Sequence, residues 1–291
     1  PHDHPEATSL SSMLYAATAA AHELGIPAHH FRVIQCPMNL FESGALLIRN
    51  TGPEYSQTLL VQAQANGVAV LLNRPLNAMP GARGGMIRLA SLPLEPVIEN
   101  FEAQRKAIEN LEEEYRQTLA PHIAQQGQGL APSEYFRWAE ELGQIPDRIL
   151  NLEHWEQIEN KMIAPHLNQI LRVVTNQIAS DYSHQWDDWR NRYLPPFLTL
   201  LKILRRDATV KSRQITGQID ELVNHFIPEG RKQESLSRKA LWILASTHGV
   251  TAVLNGMRTP AYVDDSMEIL RWAPLPVVKP LYEQLHVLPL T

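Results

Sequence analysis

Two short apolar runs decide the fold of this chain: Gly67-Val-Ala-Val-Leu-Leu-Asn-Arg-Pro-Leu-Asn77 and Gly249-Val-Thr-Ala-Val-Leu-Asn-Gly-Met-Arg-Thr-Pro260. An unbroken apolar run that contains β-branched residues is typical of a parallel strand buried on both faces. In parallel α/β folds, ligands bind at the carboxyl ends of the strands. The residues that follow the two runs, 73–77 and 255–259, are therefore the first candidates for chemistry.

Helix and strand patterns alternate over residues 9–76. Short links between such elements indicate a parallel sheet with right-handed crossovers. Cap residues, apolar spacing and Gly or Pro stops predict the following elements: a helix over 9–25, capped by Ser9, Ser11 or Ser12 and stopped by Gly25 and Pro27, a strand over 31–39, a helix over 53–66 and a strand over 68–72.

Strand patterns disappear between residues 96 and 227, where apolar residues recur every three or four positions. This spacing predicts a helical insertion, assigned to 96–231, that is large enough for a core of its own. Pro165 predicts a kink or break in one of its helices, and Pro195-Pro196 predicts a further break.

The last third of the chain returns to alternating helix and strand. A helix over 235–247 precedes a strand over 250–254, and Thr259 caps the next helix with Pro260 in its first position. Pro280–Leu285 is a candidate for a short helix. The chain therefore divides into 1–95, 96–231 and 232–291, of which the first and last are α/β parts.

Composition and charge exclude several function classes. The chain has 291 residues, 44% hydrophobic and 20% charged, which suits one large globular domain or two ordinary ones. A net charge of −5 and a pI near 6.2 argue against nucleic-acid binding through a broad basic surface. No apolar run approaches the roughly 20 residues that cross a bilayer, so no membrane partner is expected. The single cysteine, Cys36, excludes an internal disulfide and favours a reducing, cytoplasmic compartment.

The turn after the second run has the composition of a phosphate site. Gly256 lets a ligand approach the backbone closely, and Arg258 supplies a fixed cation. The N–H groups at the start of the helix that Thr259 caps favour an anion. The alternative is that Arg258 pairs with Asp264 or Asp265 on the same helix.

Three motifs occur in an order that resembles the last three strands of the aldo/keto reductase family: Phe31-Arg-Val-Ile-Gln-Cys-Pro-Met-Asn-Leu40, Gly67-Val-Ala-Val-Leu-Leu-Asn-Arg-Pro-Leu76 and Val250-Thr-Ala-Val-Leu-Asn-Gly-Met-Arg258. Tyr262-Val-Asp-Asp-Ser266 resembles the end of the family's nucleotide-binding helix. The resemblance covers residues 9–95 and 232–272. It implies an α/β fold that is the C-terminal part of a (β/α)₈ barrel, with three of its parallel strands, interrupted by a mainly α-helical insertion.

The resemblance also implies NADP(H) as cofactor, bound across the carboxyl ends of the strands. It implies that Gln35 contacts the nicotinamide amide, and that residues 73–77 line the nicotinamide and the pyrophosphate. Arg258 would pair with the adenosine 2′-phosphate. Tyr262, Asp265 and Ser266 would border the adenine. The full implied set is Gln35, Asn73, Arg74, Pro75, Leu76, Asn77, Gly256, Met257, Arg258, Thr259, Tyr262, Asp265 and Ser266.

Three positions depart from the family pattern. The family has an aromatic residue, which stacks on the nicotinamide, at the position of Asn73, a small Ser at the position of Arg74 and often an Asn at that of Ser266. An altered cofactor geometry is therefore expected. The family's catalytic Asp, Tyr, Lys and His belong to its first four strands, so the resemblance assigns no catalytic residue to this chain.

Two functions from different classes are consistent with these features. The first is an oxidoreductase that transfers hydride between NADP(H) and a small carbonyl or alcohol substrate. The second is a non-catalytic nucleotide-binding or regulatory protein that uses the helical insertion as its partner surface. An unrelated barrel with a phosphate site after its last strand is a third interpretation. In the enzyme, the insertion would be a lid or an interaction module.

The number of strands has a further consequence. Three strands cannot close a barrel, and the chain starts with Pro1 rather than Met. The chain is therefore expected to be a fragment that needs a missing N-terminal half or a partner chain. Unpaired parallel strands in an isolated fragment predict aggregation or dimerisation.

Three other stretches and one single residue have alternative interpretations. The loop 78–90, which contains two Arg residues, is either functional, as a mobile cover over a ligand or as a phosphate contact, or a surface loop whose Arg side chains are solvated. The stretch Tyr182–Trp189 is either a substrate-facing patch or a helix face with its Trp residues packed, and we favour packing. His2-Asp3-His4 is interpreted as a solvated terminus rather than a metal site. Cys36 is interpreted as a small core residue rather than a nucleophile.

Overall fold

The computed structural model of the chain describes residues 9–79, 85–96, 99–124 and 130–288. The chain divides into two compact units, each with its own hydrophobic core. The sheet unit comprises Pro1–Ser91 and Gln214–Thr291, and the helical unit comprises Leu92–Arg213.

Strands and helices are numbered here in chain order within the described residues. The strands are β1 Val33–Pro37, β2 Arg49–Thr51, β3 Gln57–Thr58, β4 Ala69–Asn73, β5 Asn77–Ala78, β6 Ile87–Arg88 and β7 Ala252–Val253. The α-helices are α1 Leu10–Glu23, α2 Gly44–Leu47, α3 Leu59–Ala65, α4 Phe101–Thr118, α5 Trp138–Gly143, α6 Leu152–Ile158, α7 Ala164–Gln177, α8 Ser183–Asn224, α9 Leu236–Ala245, α10 Pro260–Met267 and α11 Lys279–His286.

The sheet unit is built on a three-stranded parallel sheet with the order β1-β4-β7. Gln35 on β1 lies opposite Leu71 on β4, which in turn lies opposite Ala252 on β7. The fold is therefore mixed α/β, and the predicted parallel strands are confirmed. The last strand is shorter than expected, although Leu254 still donates its N–H to the carbonyl oxygen of Leu72 at 2.8 Å.

Only one face of this sheet is buried, which corrects the expectation of strands buried on both faces. Val70 and Leu72 are fully buried in a core that includes residues of α3, α9 and α11. Val33, Gln35 and Leu254 are exposed on the opposite face. Side chains alternate between the two faces along a strand, so the register defines one surface, called the open face here. It comprises Val33, Gln35, Pro37, Ala69, Leu71, Asn73, Ala252 and Leu254.

Side-chain caps confirm three predicted helix starts. Ser9, Ser235 and Thr259 each accept a hydrogen bond from a backbone N–H three residues later. Such a bond satisfies one of the donors that the first turn of a helix leaves unpaired. Pro260 occupies the first position after its cap, as predicted, and the short helix expected over Pro280–Leu285 is α11.

The helix predicted over 53–66 is shorter than expected. It begins at Leu59, and the Thr58 side chain caps it. Upstream, β2 and β3 pair antiparallel. Glu54 and Tyr55 have positive φ values of 50° and 54°. A right-handed helix cannot contain that backbone conformation, so the helix starts only after this turn.

The stretch 78–90 includes paired strands and is not entirely a loop. β5 pairs antiparallel with β6, so that Asn77 lies opposite Arg88 and Ala78 opposite Ile87. Residues 80–84, among them Arg83, lie outside the described residues. The two interpretations of this loop therefore remain predictions.

The helix break predicted at Pro195-Pro196 is wrong, because both prolines lie inside the 42-residue helix α8. Tyr193 and Phe197 flank them and are fully buried in stacked contact. A proline inside a helix costs about 3 kcal/mol, and the burial of two large aromatic side chains offsets a cost of that order. Pro165 follows a π-helical turn, so the irregularity expected there is present.

The helical unit ends at Arg213, whereas the sequence spacing put the end of the insertion at 231. Ile219, Val223 and Ile227 lie in the core of the sheet unit. Ile219 and Val223 continue the helical spacing of α8, and Ile227 lies just beyond its end. Spacing alone does not reveal which core a helix faces.

The described residues contain neither a candidate membrane-spanning helix nor a candidate metal-binding cluster. None of their helices has both the length and the apolar character that a membrane span requires. They also contain no group of three or more His, Cys, Asp or Glu side chains able to hold a metal ion. His2, Asp3 and His4 lie outside the described residues.

Candidate functional site

The carboxyl ends of β1, β4 and β7 lie side by side, because these strands are adjacent and parallel. Pro37 at the end of β1 lies opposite Asn73 at the end of β4, and β7 pairs with β4 as far as Val253. The two candidate segments, 73–77 and 255–259, therefore both begin at this edge of the sheet. We call it the strand-end edge.

Gln35 and Asn73 share the open face of the sheet. Gln35 is exposed in the middle of β1, and Asn73 lies one same-face row closer to the strand-end edge. The Oδ1 atom of Asn73 is buried and meets no hydrogen-bond donor among the described residues. An unpaired buried acceptor costs about 1–3 kcal/mol. A ligand that brings an N–H group to Asn73 would remove this cost.

Arg74 turns the chain sharply after β4. Its φ is +53°, in the left-handed region that disfavours a residue with a Cβ atom. Its guanidinium forms an ion pair with the carboxylate of Glu42, and Nη1 lies 3.1 Å from Sδ of Met79. The side chain of Arg74 is therefore committed to contacts within the sheet unit.

Asn39 joins the turns that follow β1 and β4, and the sequence interpretation missed it. It is fully buried. Its Nδ2 donates to Oε2 of Glu42 at 2.7 Å and to the backbone oxygens of Arg74 and Asn77 at 3.4 and 3.3 Å. Its Oδ1 accepts from the backbone N–H groups of Phe41 and Glu42. An Asn two residues after a proline that ends a strand is a typical start of an Asx turn, so Pro37 followed by Asn39 was the available signal.

The rest of the first candidate segment supports the turn. Pro75 is buried, Leu76 packs against the core of the sheet unit, and Asn77 begins β5. Within 73–77, Asn73 is the residue with a buried polar atom that lacks a partner among the described residues. It is therefore the residue of this segment best suited to a ligand.

The turn after β7 is exposed throughout, from Gly256 and Met257 to Arg258 and Thr259. A Cβ atom placed on Gly256 meets no atom within 4 Å, and the φ of this glycine is not in the left-handed region. The described part of the chain therefore does not require glycine here. A glycine at this position does allow a ligand to approach the backbone closely.

Arg258 forms no ion pair with Asp264 or Asp265, which was the alternative to a phosphate contact. Asp265 instead binds Arg238, with 2.7 Å between Nε and Oδ1, and accepts from the hydroxyl of Ser237 at 3.1 Å. Asp264 is exposed, and no carboxylate in the described part of the chain forms an ion pair with Arg258. The guanidinium of Arg258 is therefore available to an anion from solution.

The first turn of α10 adds to the positive potential beside Arg258. Thr259 accepts the N–H of Tyr262 at 3.4 Å, and Pro260 has no N–H to satisfy. The amino end of a helix carries a partial positive charge that favours anions. The guanidinium of Arg258 and the amino end of α10 therefore both favour a phosphate at the beginning of this helix.

The three residues implied to border an adenine differ in their contacts. Ser266 accepts from Nδ2 of Asn255 at 2.7 Å, which ties α10 to the turn after β7. Asp265 ties α10 to α9 through Arg238. Tyr262 exposes 55% of its surface, so it is the member of this group that is most accessible to a ligand.

Two further sequence interpretations agree with the structure. Burial raises the pKa of the Cys36 thiol, as in a core cysteine rather than a nucleophile. Trp186 and Trp189 are each 1% exposed. The stretch Tyr182–Trp189 is therefore a helix face whose Trp residues are packed.

Comparison with known proteins identified no relative. No family model, no curated protein and no solved structure matches this chain. The candidate site therefore depends on the contacts of its own residues.

Proposed function

We propose that the sheet unit binds NADP(H), and that it is the cofactor-binding part of an aldo/keto reductase-like oxidoreductase. The observation that carries the proposal is the sheet order β1-β4-β7. The three motif-bearing strands are neighbours and parallel, in the order of the motifs along the chain. Gln35, Asn73 and the turn 256–259 are thereby brought to one sheet, as a dinucleotide that spans several strand ends requires.

The phosphate end of the proposed site is the turn after β7. Arg258 has no carboxylate partner among the described residues and lies beside the amino end of α10. A planar guanidinium gives charge-assisted hydrogen bonds to a phosphate. The adenosine 2′-phosphate of NADP(H) is the group that this pair of features fits, and Tyr262 offers an exposed ring close by along the chain.

The nicotinamide end of the proposed site is the open face near Asn73. The nicotinamide carboxamide carries N–H donors, and the buried Oδ1 of Asn73 is an acceptor that has no partner in the part of the chain that the structure describes. Gln35 offers both donor and acceptor atoms to the same amide. When bound, the nicotinamide ring supplies or accepts the hydride. The residues of this chain would orient it next to a small carbonyl or alcohol substrate.

A barrel is the fold we propose for the assembled enzyme. The open face exposes Val33 and Leu254. In a closed barrel, further strands would enclose this face. Neither β1 nor β7 has a second partner strand among the described residues. Additional parallel strands, from another part of the same protein or from a partner chain, would complete the sheet and supply the proton donor. We propose the reducing environment of the cytoplasm for this protein, since Cys36 is its single cysteine.

The second candidate function is non-catalytic binding of a nucleotide, with the helical unit as the surface for a partner protein. Asn73 favours it, because an asparagine cannot stack on a nicotinamide ring as an aromatic residue can. A protein of this kind binds NADPH but transfers no hydride. Turnover with a panel of small aldehydes and ketones therefore separates the two candidates.

Fluorescence titration with NADPH tests the proposed site. Arg258→Ala should weaken NADPH binding about 10-fold or more, which is the scale of one charge-assisted hydrogen bond. Arg271→Ala is the matched control, because Arg271 is exposed and pairs with Glu268 instead. The control should bind NADPH like the wild type. Absence of NADPH binding to the wild type, or equal affinities for all three proteins, would contradict the proposal.

A further inference from the structure

A cleft on the sheet unit has walls that are mainly apolar. Its volume is about 540 Å³, and its lining includes Trp242 of α9, Trp272, the segment 273–276, Gly230 and Arg231. The two indole rings meet edge to face, with their centroids 5.1 Å apart. None of these residues belongs to the strand-end edge, so the cleft is a second candidate site.

Trp272, one of the residues that line the cleft, has a nitrogen donor without a partner among the described residues. Trp272 is 6% exposed, and its indole N–H is buried and meets no acceptor among the described residues. The indole N–H of Trp242, in contrast, donates to the backbone oxygen of Ala273 at 3.0 Å. A buried donor without an acceptor costs about 1–3 kcal/mol. This position therefore favours a ligand that carries an acceptor oxygen.

Arg231 adds a positive charge to the same wall. Its guanidinium carbon lies 4.2 Å from the ring centroid of Trp272, and Nη1 donates to Oε1 of Glu234 at 3.2 Å. A guanidinium has five N–H donors, so this contact leaves others for a ligand. Glu234 also pairs with Arg238 at 2.9 Å. A ligand could therefore share Arg231 without leaving Glu234 unpaired.

We propose that this cleft binds an aliphatic carboxylate. The carboxylate would accept from the guanidinium of Arg231 and from the indole N–H of Trp272. The aliphatic chain would lie against Trp242 and Leu275. Apolar walls with a few convergent polar groups are typical of small-molecule sites, and an arginine fork matches the two oxygens of a carboxylate. The proposal does not depend on NADP(H) binding.

Titration of the full chain with octanoate, followed by NMR of the indole N–H signals, tests the site directly. The chain has six Trp residues, and Trp272→Phe identifies the signal of Trp272. Octanoate should shift this signal saturably with a Kd of about 1 mM or tighter, and 1-octanol should bind at least 10-fold more weakly because it lacks the charge. No saturable shift would overturn the proposal, and so would equal affinity for the alcohol.

Two pairs of variants locate the ligand within the cleft. Among the described residues, a Cβ atom on Gly230 meets nothing within 4 Å, and the same holds for Gly217 on α8. Gly230→Leu should fill the cleft and abolish octanoate binding, whereas Gly217→Leu should bind octanoate like the wild type. Unchanged octanoate binding by Gly230→Leu would overturn the proposal. NADPH affinity should be the same in both variants, which separates this test from that of the proposed function.

A variant and a matched control also test the role of the positive charge of Arg231. Arg231→Gln should weaken octanoate binding about 10-fold and leave 1-octanol binding unchanged. Arg271→Gln removes an arginine that is outside the cleft lining and pairs with Glu268, and it should change neither affinity. Equal losses of octanoate affinity in the two variants would mean that a diffuse charge, and not Arg231, attracts the ligand.

Discussion

The helical unit packs its aromatic side chains against one another, whereas the sheet unit leaves one face of its parallel sheet uncovered. Trp189 and Tyr193 on α8 are buried and stacked, with ring centroids 4.5 Å apart. On the sheet, Val33 and Leu254 expose 51% and 42% of their surfaces. A sheet face that is not covered by other elements is a candidate surface for a partner or ligand. The two units therefore differ in how they use apolar side chains, and the proposed binding site lies in the unit with the uncovered sheet face.

A buried carboxylate shows how the helical unit satisfies its interior. Glu112 on α4 accepts from the hydroxyl of Tyr193 at 2.9 Å and from the backbone N–H of Ala139 at 3.2 Å. It therefore caps the first turn of α5 from another helix. Burial and the neighbouring Glu112 raise the pKa of Tyr193 well above its usual range, so the phenol remains a donor. Interior polar groups with these partners stabilise a single packing arrangement.

The largest expected effect comes from the aromatic core. Trp189→Ala removes a side chain that also donates to the backbone oxygen of Leu111 at 2.7 Å, and it should lower the stability of the helical unit by about 3–5 kcal/mol. Urea unfolding followed by circular dichroism measures the loss. NADPH affinity should be unchanged at low temperature, since the proposed site lies in the sheet unit. A parallel loss of NADPH binding in a folded variant would contradict the proposed separation of roles.

A smaller effect is expected from the turn network of the sheet unit. Asn39→Ala removes the partner of the backbone N–H groups of Phe41 and Glu42, so it should lower stability by about 2–3 kcal/mol. It should also weaken NADPH binding, because Asn39 holds the turn that contains Arg74. The exposed Asn50→Ala is the control and should change neither quantity. Normal NADPH affinity in Asn39→Ala would show that this turn does not contribute to the site.

The smallest expected effect is a pH dependence confined to the helical unit. Burial raises the pKa of Glu112 above its usual value of 4.5. The folded state then binds more protons than the unfolded state between the two pKa values, so this carboxyl group makes stability fall as pH rises through that window. The slope cannot exceed about 1.4 kcal/mol per pH unit for one proton. Glu112→Gln should remove this contribution.

The measurement is the difference between the unfolding free energies of the wild type and Glu112→Gln at several pH values from 4 upward. The difference is needed because carboxylates with a lowered pKa, such as Glu114 beside Arg192, contribute with the opposite sign. A difference that does not change with pH would contradict the expected protonation of Glu112.

Much of the sheet unit could be predicted from local sequence signals. The caps at Ser9, Ser235 and Thr259 are hydrogen bonds between residues three positions apart. The local sequence is therefore sufficient to predict these helix starts. The strands at 33–37 and 69–73 follow from apolar runs and their Pro or Asn ends. The positive φ values of Glu54 and Tyr55, which shorten α3, could not be predicted. Neither position is a glycine, the residue type that usually indicates a positive φ.

The candidate site was only partly predictable. The turn with Gly256 and Arg258 could be identified from residue types and their spacing. The network of Asn39, Glu42 and Arg74 could not, because it joins residues up to 35 positions apart. Whether Arg258 pairs with Asp265 also depended on the fold, since α9 presents Arg238 as the competing partner.

The sequence by itself determined the alternation of elements in the sheet unit, the helix starts at Ser9, Ser235 and Thr259 and, to within about two residues, the strand ends. These features depend on near neighbours along the chain. The tertiary structure decided which face of the sheet is buried, which core the end of α8 joins and that α8 continues through Pro195-Pro196. Each of these outcomes depends on contacts between residues far apart in the sequence. Their packing energy exceeds local preferences of a few kcal/mol.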